Sequence, residues 1–306
     1  MTGPPARRPF KAIGLMLLAV IAFAAMDSVL KLFASHYPVL QIAALRGGAS
    51  LPFLVLLLLL RGRLMELRPV RFPMHLLRAV LMLIVLLGFI YGVRSLSLAD
   101  AYAIFLAAPL IVTALSVPLL GERVDWRRWT AITIGLIGVV TVLHPSPGHM
   151  ISLGALATLV ASTMYACNQI ALRVITRSDT TGSVVFWMIG LVTLFAGLLA
   201  LPHWVPVRRE DWLLLAVLGV FAAIGQQLLT EAFRYAPPSV IAPFEYTALL
   251  WGMVADRIIW GVLPTARVYL GGAIIIASGL YLIWRERVFS GTALAAETIG
   301  PTSTTP

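Results

Sequence analysis

The chain has 306 residues, of which 60% are hydrophobic and only 12% are charged, and its mean hydropathy is +0.94. Soluble domains are about half apolar and about a quarter charged, so this composition excludes a soluble enzyme. The net charge of +10 comes from basic residues that separate apolar runs, without the interleaved aromatics of a nucleic-acid patch, which excludes nucleic acid as a partner. Cys167 is the only cysteine, which excludes an intramolecular disulfide and a thiolate metal cluster.

Ten apolar windows, bounded by charges, prolines or histidines, predict ten transmembrane helices. A membrane-spanning helix takes about 20 apolar residues, and continuous runs such as Leu54 to Leu60 lack the alternation of a transmembrane β-strand. We predict helices at about residues 12–33, 39–60, 74–93, 98–119, 127–144, 151–175, 184–201, 211–233, 239–260 and 266–284. The predicted fold is therefore all-α and integral to the membrane.

Both ends of the chain are predicted to lie in the cytoplasm. Residues 1–11 form a basic segment, and the apolar run after them lacks the usual cleavage site, which predicts a retained first helix. Residues 287–306 have no hydrophobic period and are predicted to be a disordered tail. Fifteen basic residues lie on the side of the N-terminus and four on the other, which predicts cytoplasmic termini. The remaining four fall within predicted helices: Lys31, Arg46, Arg78 and Arg257.

The chain matches itself at a shift of about 140 residues. The matched positions are Asp27 with Gln169, Lys31 with Arg173, and Tyr91-Gly-Val-Arg94 with Glu231-Ala-Phe-Arg234. We predict two repeats of five helices, at residues 12–144 and 151–286. An odd number of helices places the second repeat upside down relative to the first. Inverted repeats are typical of alternating-access transporters, whose substrate site lies between the repeats near the midplane.

Several motifs accompany this layout. They are Met26-Asp27-Ser-Val-Leu-Lys31, Leu45-Arg46-Gly47, Pro118-Leu-Leu-Gly-Glu122, and the glycine pairs Gly135/Gly138 and Gly272/Gly279. Together with the two sets of five helices, they resemble the drug/metabolite transporter superfamily, EamA type, over residues 12–286. The second repeat departs from the pattern, because Gly261-Val262 replaces the Gly-Glu that ends the fourth helix.

The resemblance implies a secondary transporter, not an enzyme, that moves a small polar organic metabolite. It implies export of an amino acid or an amino-acid-derived zwitterion, including opine-type metallophores. The alternatives are an importer of riboflavin or S-adenosylmethionine and, less favoured, a lipid-linked carrier. No ATP-binding loop is present and the five histidines lack ligand spacing, so we expect no cofactor and no metal site. Substrate, direction, coupling ion and oligomeric state stay open.

Three charged residues in the first two helices form the leading candidate site. Asp27 and Lys31 are four residues apart on one helix face and can pair, and Arg46 enters the membrane from the same side. Charged groups in a membrane point into the bundle or a wet cavity and mark functional sites by default. In the functional interpretation, Arg46 or Lys31 binds a substrate carboxylate while Asp27 binds an amine or a proton. In the structural interpretation, the three pin two helices together.

Glu245 is the deepest carboxylate of the second repeat and stands beside Pro243, which frees a backbone carbonyl. It is a candidate proton carrier together with Asp27, or else the partner of a buried donor such as Arg234. Tyr102 and Tyr246, on equivalent helices, are candidate walls of an organic ligand site, or else packing. The amides of Gln169 and Gln226 either line the cavity or join helices. Asp256 and Arg257 are interpreted as structural.

Overall fold

The backbone N–H and C=O groups of a segment in a membrane must be hydrogen-bonded within the protein, and this chain forms these bonds in helices. The computed structural model describes residues 9–60, 67–121, 125–143, 152–175, 178–235 and 242–298, and no strand occurs in these ranges. The prediction of an all-α membrane protein is confirmed. Eight helical segments in the described ranges are long and apolar enough to span a membrane, and Ala266–Leu282 is a shorter apolar helix.

The helices follow one another in two sets. The first set consists of α1 (Pro9–Phe33), α2 (Val39–Leu60), α3 (Phe72–Ser95), α4 (Leu98–Phe105), α5 (Ala108–Leu120) and α6 (Trp126–Leu143). The second set consists of α7 (Leu153–Ile175), α8 (Thr181–Ala200), α9 (Trp212–Tyr235), α10 (Thr247–Ala255) and α11 (Ala266–Thr298). Short helical turns flank α9 and α10, at Leu201–His203, Arg209–Asp211, Ala242–Tyr246 and Asp256–Trp260.

Each of the ten predicted helices coincides with a helical segment, and two of them are interrupted. The fourth divides into α4 and α5, where Pro109 lacks the N–H that would continue the ladder. The ninth consists of the 3₁₀ turn Ala242–Tyr246, α10 and a π-helical turn at Asp256–Trp260. The predicted ends at 144, 151 and 239–241 lie outside the described residues, as do residues 1–8 and 299–306 of the predicted terminal segments. Helix α11 continues to Thr298, beyond the predicted repeat end at 286.

The packing of the helices repeats when the two sets are exchanged. Helix α1 packs along α9, and the equivalent pair α3 and α7 packs in the same way. Helix α2 packs on α8, α6 on α11 and α4 on α10, so that each of these pairs joins equivalent positions in the two sets. The bundle therefore has an internal two-fold pseudosymmetry. We call the side at which α1 begins the first face and the side at which α1 ends the second face.

Glycines allow α6 and α11 to approach closely. A Cβ at Gly138 would lie 2.9 Å from the carbonyl oxygen of Gly271, and a Cβ at Gly271 would lie 2.6 Å from that of Gly138. Neither position has room for a side chain. Small residues at such crossings let helix backbones pack directly in a membrane. Gly138 and Gly271 therefore make a close helix contact within the bundle.

Candidate functional site

The last turns of α1 and the first turns of α2 place Asp27 and Arg46 within electrostatic range of each other inside the bundle. Asp27 lies six residues before the end of α1, and Arg46 lies seven residues after the start of α2. The two side chains interact electrostatically, and the hydroxyl of Tyr102 on α4 donates a hydrogen bond of 2.8 Å to Asp27 Oδ2. Asp27 and Arg46 are both half-buried, so their charges are not fully sealed. We call these three residues the Asp27 cluster.

Tyr102 is held in place by both halves of the chain. Its ring stacks on Phe89 of α3, with 6.1 Å between the ring centroids. On its other side, a Cβ at Gly252 of α10 would lie 2.6 Å from ring atom Cδ2. Helix α10 of the second half thus packs against Tyr102, which binds Asp27. The Asp27 cluster therefore adjoins the interface between the halves.

Lys31 does not join this cluster, which corrects the expected pairing with Asp27. Its ammonium lies 3.0 Å from Asp256 Oδ1 and 4.4 Å from the centroid of the Trp260 ring. Asp256 is 0% exposed and needs a partner for its charge, whereas Asp27 has Tyr102 and Arg46. The spacing of four residues allows a local pair, but a buried carboxylate from the other half takes the lysine.

Asp256 also caps helix α4 from a distant part of the chain. Its Oδ1 accepts a hydrogen bond of 3.0 Å from the N–H of Leu98, and its Oδ2 accepts one of 2.8 Å from the N–H of Ala99. These are unpaired donors of the first helical turn, where a negative charge is favourable. Lys31, Asp256 and the start of α4 therefore tie the two halves at the second face. Arg257, the next residue, is exposed.

Loop contacts strengthen the second face. The hydroxyl of Tyr37 donates to Asp211 Oδ2 and accepts a hydrogen bond of 3.1 Å from the N–H of Arg208. Burial, together with the bond to Asp211, raises the pKa of Tyr37 above its ordinary value. The amide of Gln41 bonds both the carbonyl and the N–H of Val205, at 2.6 and 3.0 Å. Each contact joins the first half of the chain to the second.

The first face has its own tie between the halves, centred on Asp179. Its Oδ1 lies 2.9 Å from His75 Nε2 and accepts a hydrogen bond of 2.8 Å from the N–H of Val70, while Ser178 donates to Oδ2. Burial alone would raise the pKa of Asp179, but the hydrogen bonds from His75, Val70 and Ser178 outweigh it and hold the pKa below its ordinary value. Asp179 is therefore bound as a carboxylate.

Glu245 and Tyr246 lie in the 3₁₀ turn before α10. Glu245 is half-buried and interacts electrostatically with Tyr246 and with Tyr165 of α7. The Tyr246 hydroxyl fits against Gly279 of α11, and it has no hydrogen-bond partner among the described residues. The side chain of Arg234, the suggested partner of Glu245, lies outside the described residues. Glu245, Tyr165 and Tyr246 form a second polar group, which shares no residue with the Asp27 cluster.

The remaining amides lie on the two helices that the sequence assigned them. Gln169 on α7 and Gln226 on α9 are both half-buried. The adjacent Asn168 is buried and accepts a hydrogen bond of 3.2 Å from Arg78 Nε. The expected contact of Gln169 and Gln226 with substrate therefore stays a prediction.

Arg78 is the functional candidate that the sequence reasoning missed. It is 2% exposed on α3, and besides Asn168 it contacts the Met188 sulfur, 3.4 Å from Nη2. The sequence marked it only as a basic residue within a predicted helix. The signal was nevertheless present, because an arginine in an apolar window is a functional candidate by the same argument that selected Arg46. Its partners come from α7 and α8 and could not be foreseen.

No group of three or more His, Cys, Asp or Glu side chains able to hold a metal occurs within the described ranges. Two pairs of charged groups have buried contacts there instead, Lys31 with Asp256 and His75 with Asp179.

Three relatives span nearly the whole chain. A riboflavin transporter of Vibrio cholerae is 28% identical and covers 87% of this chain and 91% of its own length. A pseudopaline exporter, CntI, of Pseudomonas aeruginosa is 26% identical, covering 87% and 95%. An S-adenosylmethionine uptake transporter of Rickettsia conorii is 25% identical, covering 90% and 93%. All three are named as small-molecule transporters, but their substrates and directions differ.

A solved crystal structure shares the fold. It aligns with a TM-score of 0.60 at 18% identity and covers 89% of this chain and 98% of the other. The sequence pattern of the EamA-like transporter family matches residues 10–144 and 152–285. These are the two sets of helices that pack with pseudosymmetry. The chain therefore belongs to the EamA-like transporter family, of the drug/metabolite transporter superfamily.

Proposed function

We propose that the protein exports an amino acid or an amino-acid-derived zwitterion across a bacterial-type inner membrane by alternating access. The observation that carries this proposal is the Asp27 cluster. It places a carboxylate and a guanidinium within electrostatic range of each other, half-buried inside an apolar bundle, next to the interface between two halves. Charges in such a place are expensive and are retained for function.

The chemistry of the cluster favours a zwitterion. The planar guanidinium of Arg46 suits a carboxylate, which it can bind through two parallel hydrogen bonds. Asp27 suits an ammonium group, and Tyr102 orients it. Opine-type metallophores combine both groups, and one relative is named as a pseudopaline exporter. A substrate with both charges would replace the internal Asp27 and Arg46 interaction with two new ones.

Import of riboflavin or S-adenosylmethionine is the second candidate. Relatives bear both names, and the aromatic pair of Phe89 and Tyr102 beside Asp27 would suit a flat ring. S-adenosylmethionine also carries an amine and a carboxylate, so it would use the Asp27 cluster in the same way. Riboflavin has neither group and would depend on the aromatic side chains. The role of Arg46 therefore separates these ligands.

The ties at the two faces support an alternating mechanism. Opening the second face requires separation of Lys31 from Asp256 and of Tyr37 from Asp211. Opening the first face requires separation of His75 from Asp179. We propose that the first face is cytoplasmic, because the basic residues of the loops concentrate there. Asp27 and Glu245 are the proposed proton carriers.

Thermal unfolding of the purified protein tests the proposed substrate class. The ligands are amino acids, an opine-type metallophore, riboflavin and S-adenosylmethionine, since a bound ligand raises the unfolding temperature. We expect stabilisation by a zwitterion that Arg46→Gln removes and that Arg257→Gln, a change at an exposed arginine, retains. Stabilisation by riboflavin alone, unaffected by Arg46→Gln, would exclude the zwitterion and support the second candidate.

A further inference from the structure

Arg78 is a buried cation with no carboxylate partner among the described residues. It is 2% exposed, and Nη1 has no hydrogen-bond partner among the described residues. The two groups it does contact, Asn168 Oδ1 and the Met188 sulfur, are both neutral. A buried charge is normally paired, because removal from water without a counter-charge is costly. The guanidinium therefore keeps one donor, Nη1, for which the described residues supply no acceptor.

The position of Arg78 mirrors that of the Asp27 cluster. Asn168 lies seven residues before the end of α7, as Asp27 lies six before the end of α1. Met188 lies seven residues after the start of α8, as Arg46 does in α2. At 1.5 Å per residue, both groups lie roughly 10 Å below a face of the bundle. Since α7 and α8 are the repeat equivalents of α1 and α2, the two groups approach opposite faces.

The two groups differ in charge. In the Asp27 cluster, the carboxylate of Asp27 offsets Arg46. In the second half, Asn168 and Met188 lie at similar depths and are neutral, while the guanidinium comes from α3. The second group therefore has a positive charge that no described carboxylate neutralises.

A second unpartnered atom lies one turn away on the same helix. His75 precedes Arg78 by three residues, which places both side chains on one face of α3. Its Nε2 is bound to Asp179, whereas Nδ1 is buried and has no partner in the described part of the chain. One nitrogen atom of each side chain thus lacks a partner among the described residues, which is unusual for buried polar atoms in a folded protein.

We propose that Arg78 and Asn168 form a second carboxylate-binding site, reached from the first face when the tie between His75 and Asp179 opens. Arg78 Nη1 would donate to the carboxylate and the Asn168 amide would support it. That this site serves the transported molecule rests on the proposed function. In that case the substrate carboxylate binds Arg46 near one face and Arg78 near the other.

Formate is the probe for this site, and chloride is the comparison anion. The unfolding temperature of the full-length protein is measured in methanesulfonate buffer while either anion is added up to about 100 mM. Two sites can bind formate, so each is removed in turn with Arg46→Gln and Arg78→Gln. We expect formate to stabilise the Arg46→Gln protein, and we expect Arg78→Gln, in the same background, to weaken the apparent affinity at least about tenfold.

Further variants keep the test decisive if Arg78→Gln does not fold. Arg78→Lys retains the charge but loses the planar fork, so we expect formate binding to weaken about tenfold. Thr130→Leu, at an exposed polar position of α6, is the control for Asn168→Leu, and only the latter should weaken binding.

Three results would overturn the assignment. They are the absence of any formate effect in the Arg46→Gln protein, a formate effect that Arg78→Lys and Asn168→Leu both leave unchanged, and stabilisation by chloride but not by formate. The failure of zwitterions to bind at Arg46 would remove the proposed function. It would leave the formate result at Arg78 intact, so the two failures are distinguishable.

Discussion

The Asp27 cluster and Arg78 occupy matching depths in the two halves of the bundle, yet only the first contains a carboxylate. In the first half, Asp27 is bound by Tyr102 and lies near Arg46. In the second half, Gln169 matches Asp27 in the repeat, and the neighbouring Asn168 accepts a hydrogen bond from Arg78 of α3. The inverted repeat therefore sets where polar groups can lie, while side-chain identity makes the two sides chemically different. Such a difference is needed if the two faces are to hold a substrate with different affinities.

Reversing the charge at Arg46 should break the Asp27 cluster most severely. Arg46→Glu places two carboxylates side by side, so we expect transport of a carboxylate substrate to fall more than about 100-fold. The measurement is uptake into reconstituted vesicles, with the exposed Arg257→Glu as the control. If transport by the Arg46→Glu protein stayed near the wild-type rate, the cluster would have only a structural role.

The tie at the second face should have the largest effect on stability. Asp256→Ala removes the partner of Lys31 and the cap of α4, so we expect the free energy of unfolding to fall by about 3 kcal/mol. Denaturant unfolding in detergent measures this change, and Arg257→Ala should alter stability by less than about 0.5 kcal/mol. Equal effects of the two substitutions would contradict the structural role of Asp256.

Tyr102→Phe removes one hydrogen bond from the Asp27 cluster and keeps the stack on Phe89. We expect substrate affinity to weaken about tenfold, because a hydrogen bond to a charged group contributes about 1.5–3 kcal/mol. Binding by thermal stabilisation measures the effect. Tyr91→Phe, at an exposed position of α3, is the control and should bind as the wild type does.

Asn168→Asp would make the second half resemble the first. The new carboxylate would lie beside Arg78 Nε, where Asn168 Oδ1 now accepts a bond of 3.2 Å. We expect the unfolding free energy to rise by about 1 kcal/mol and the formate effect at Arg78 to disappear, since the internal acid satisfies the guanidinium. Thr130→Asp, at an exposed position of α6, is the control. A formate effect that persisted in Asn168→Asp would place the anion elsewhere.

The tie at the first face predicts a small effect that depends on pH. The pKa of Asp179 is lowered in the folded protein, so its ionised form stabilises the fold above the unfolded value of about 3.9. This stabilisation is lost as the pH falls through the lowered folded pKa. The difference in unfolding temperature between the wild type and Asp179→Asn should therefore shrink below about pH 4. A difference that is constant from pH 7 to pH 3 would contradict this.

The positions of the helices could be predicted from the sequence because the membrane imposes a local rule. A run of about 20 apolar residues must form a helix in lipid, whatever its neighbours are. Asp27, Arg46 and Arg78 were visible as charges in such runs, and Asp27 and Arg46 do lie within electrostatic range of each other. The interruptions at Pro109 and at Asp256–Trp260 were less visible, because short irregular turns barely change hydropathy.

The choice of partners was decided by the tertiary structure. Asp27 and Lys31 are four residues apart, and sequence spacing alone favours their pairing. In the folded chain, Lys31 instead pairs with Asp256, which lies 225 residues away and also caps α4. The sequence determines which residues carry charge and how deep each lies in the membrane. Which charges meet depends on how the two halves pack, because the cost of leaving a buried carboxylate unpaired exceeds the gain from a local pair.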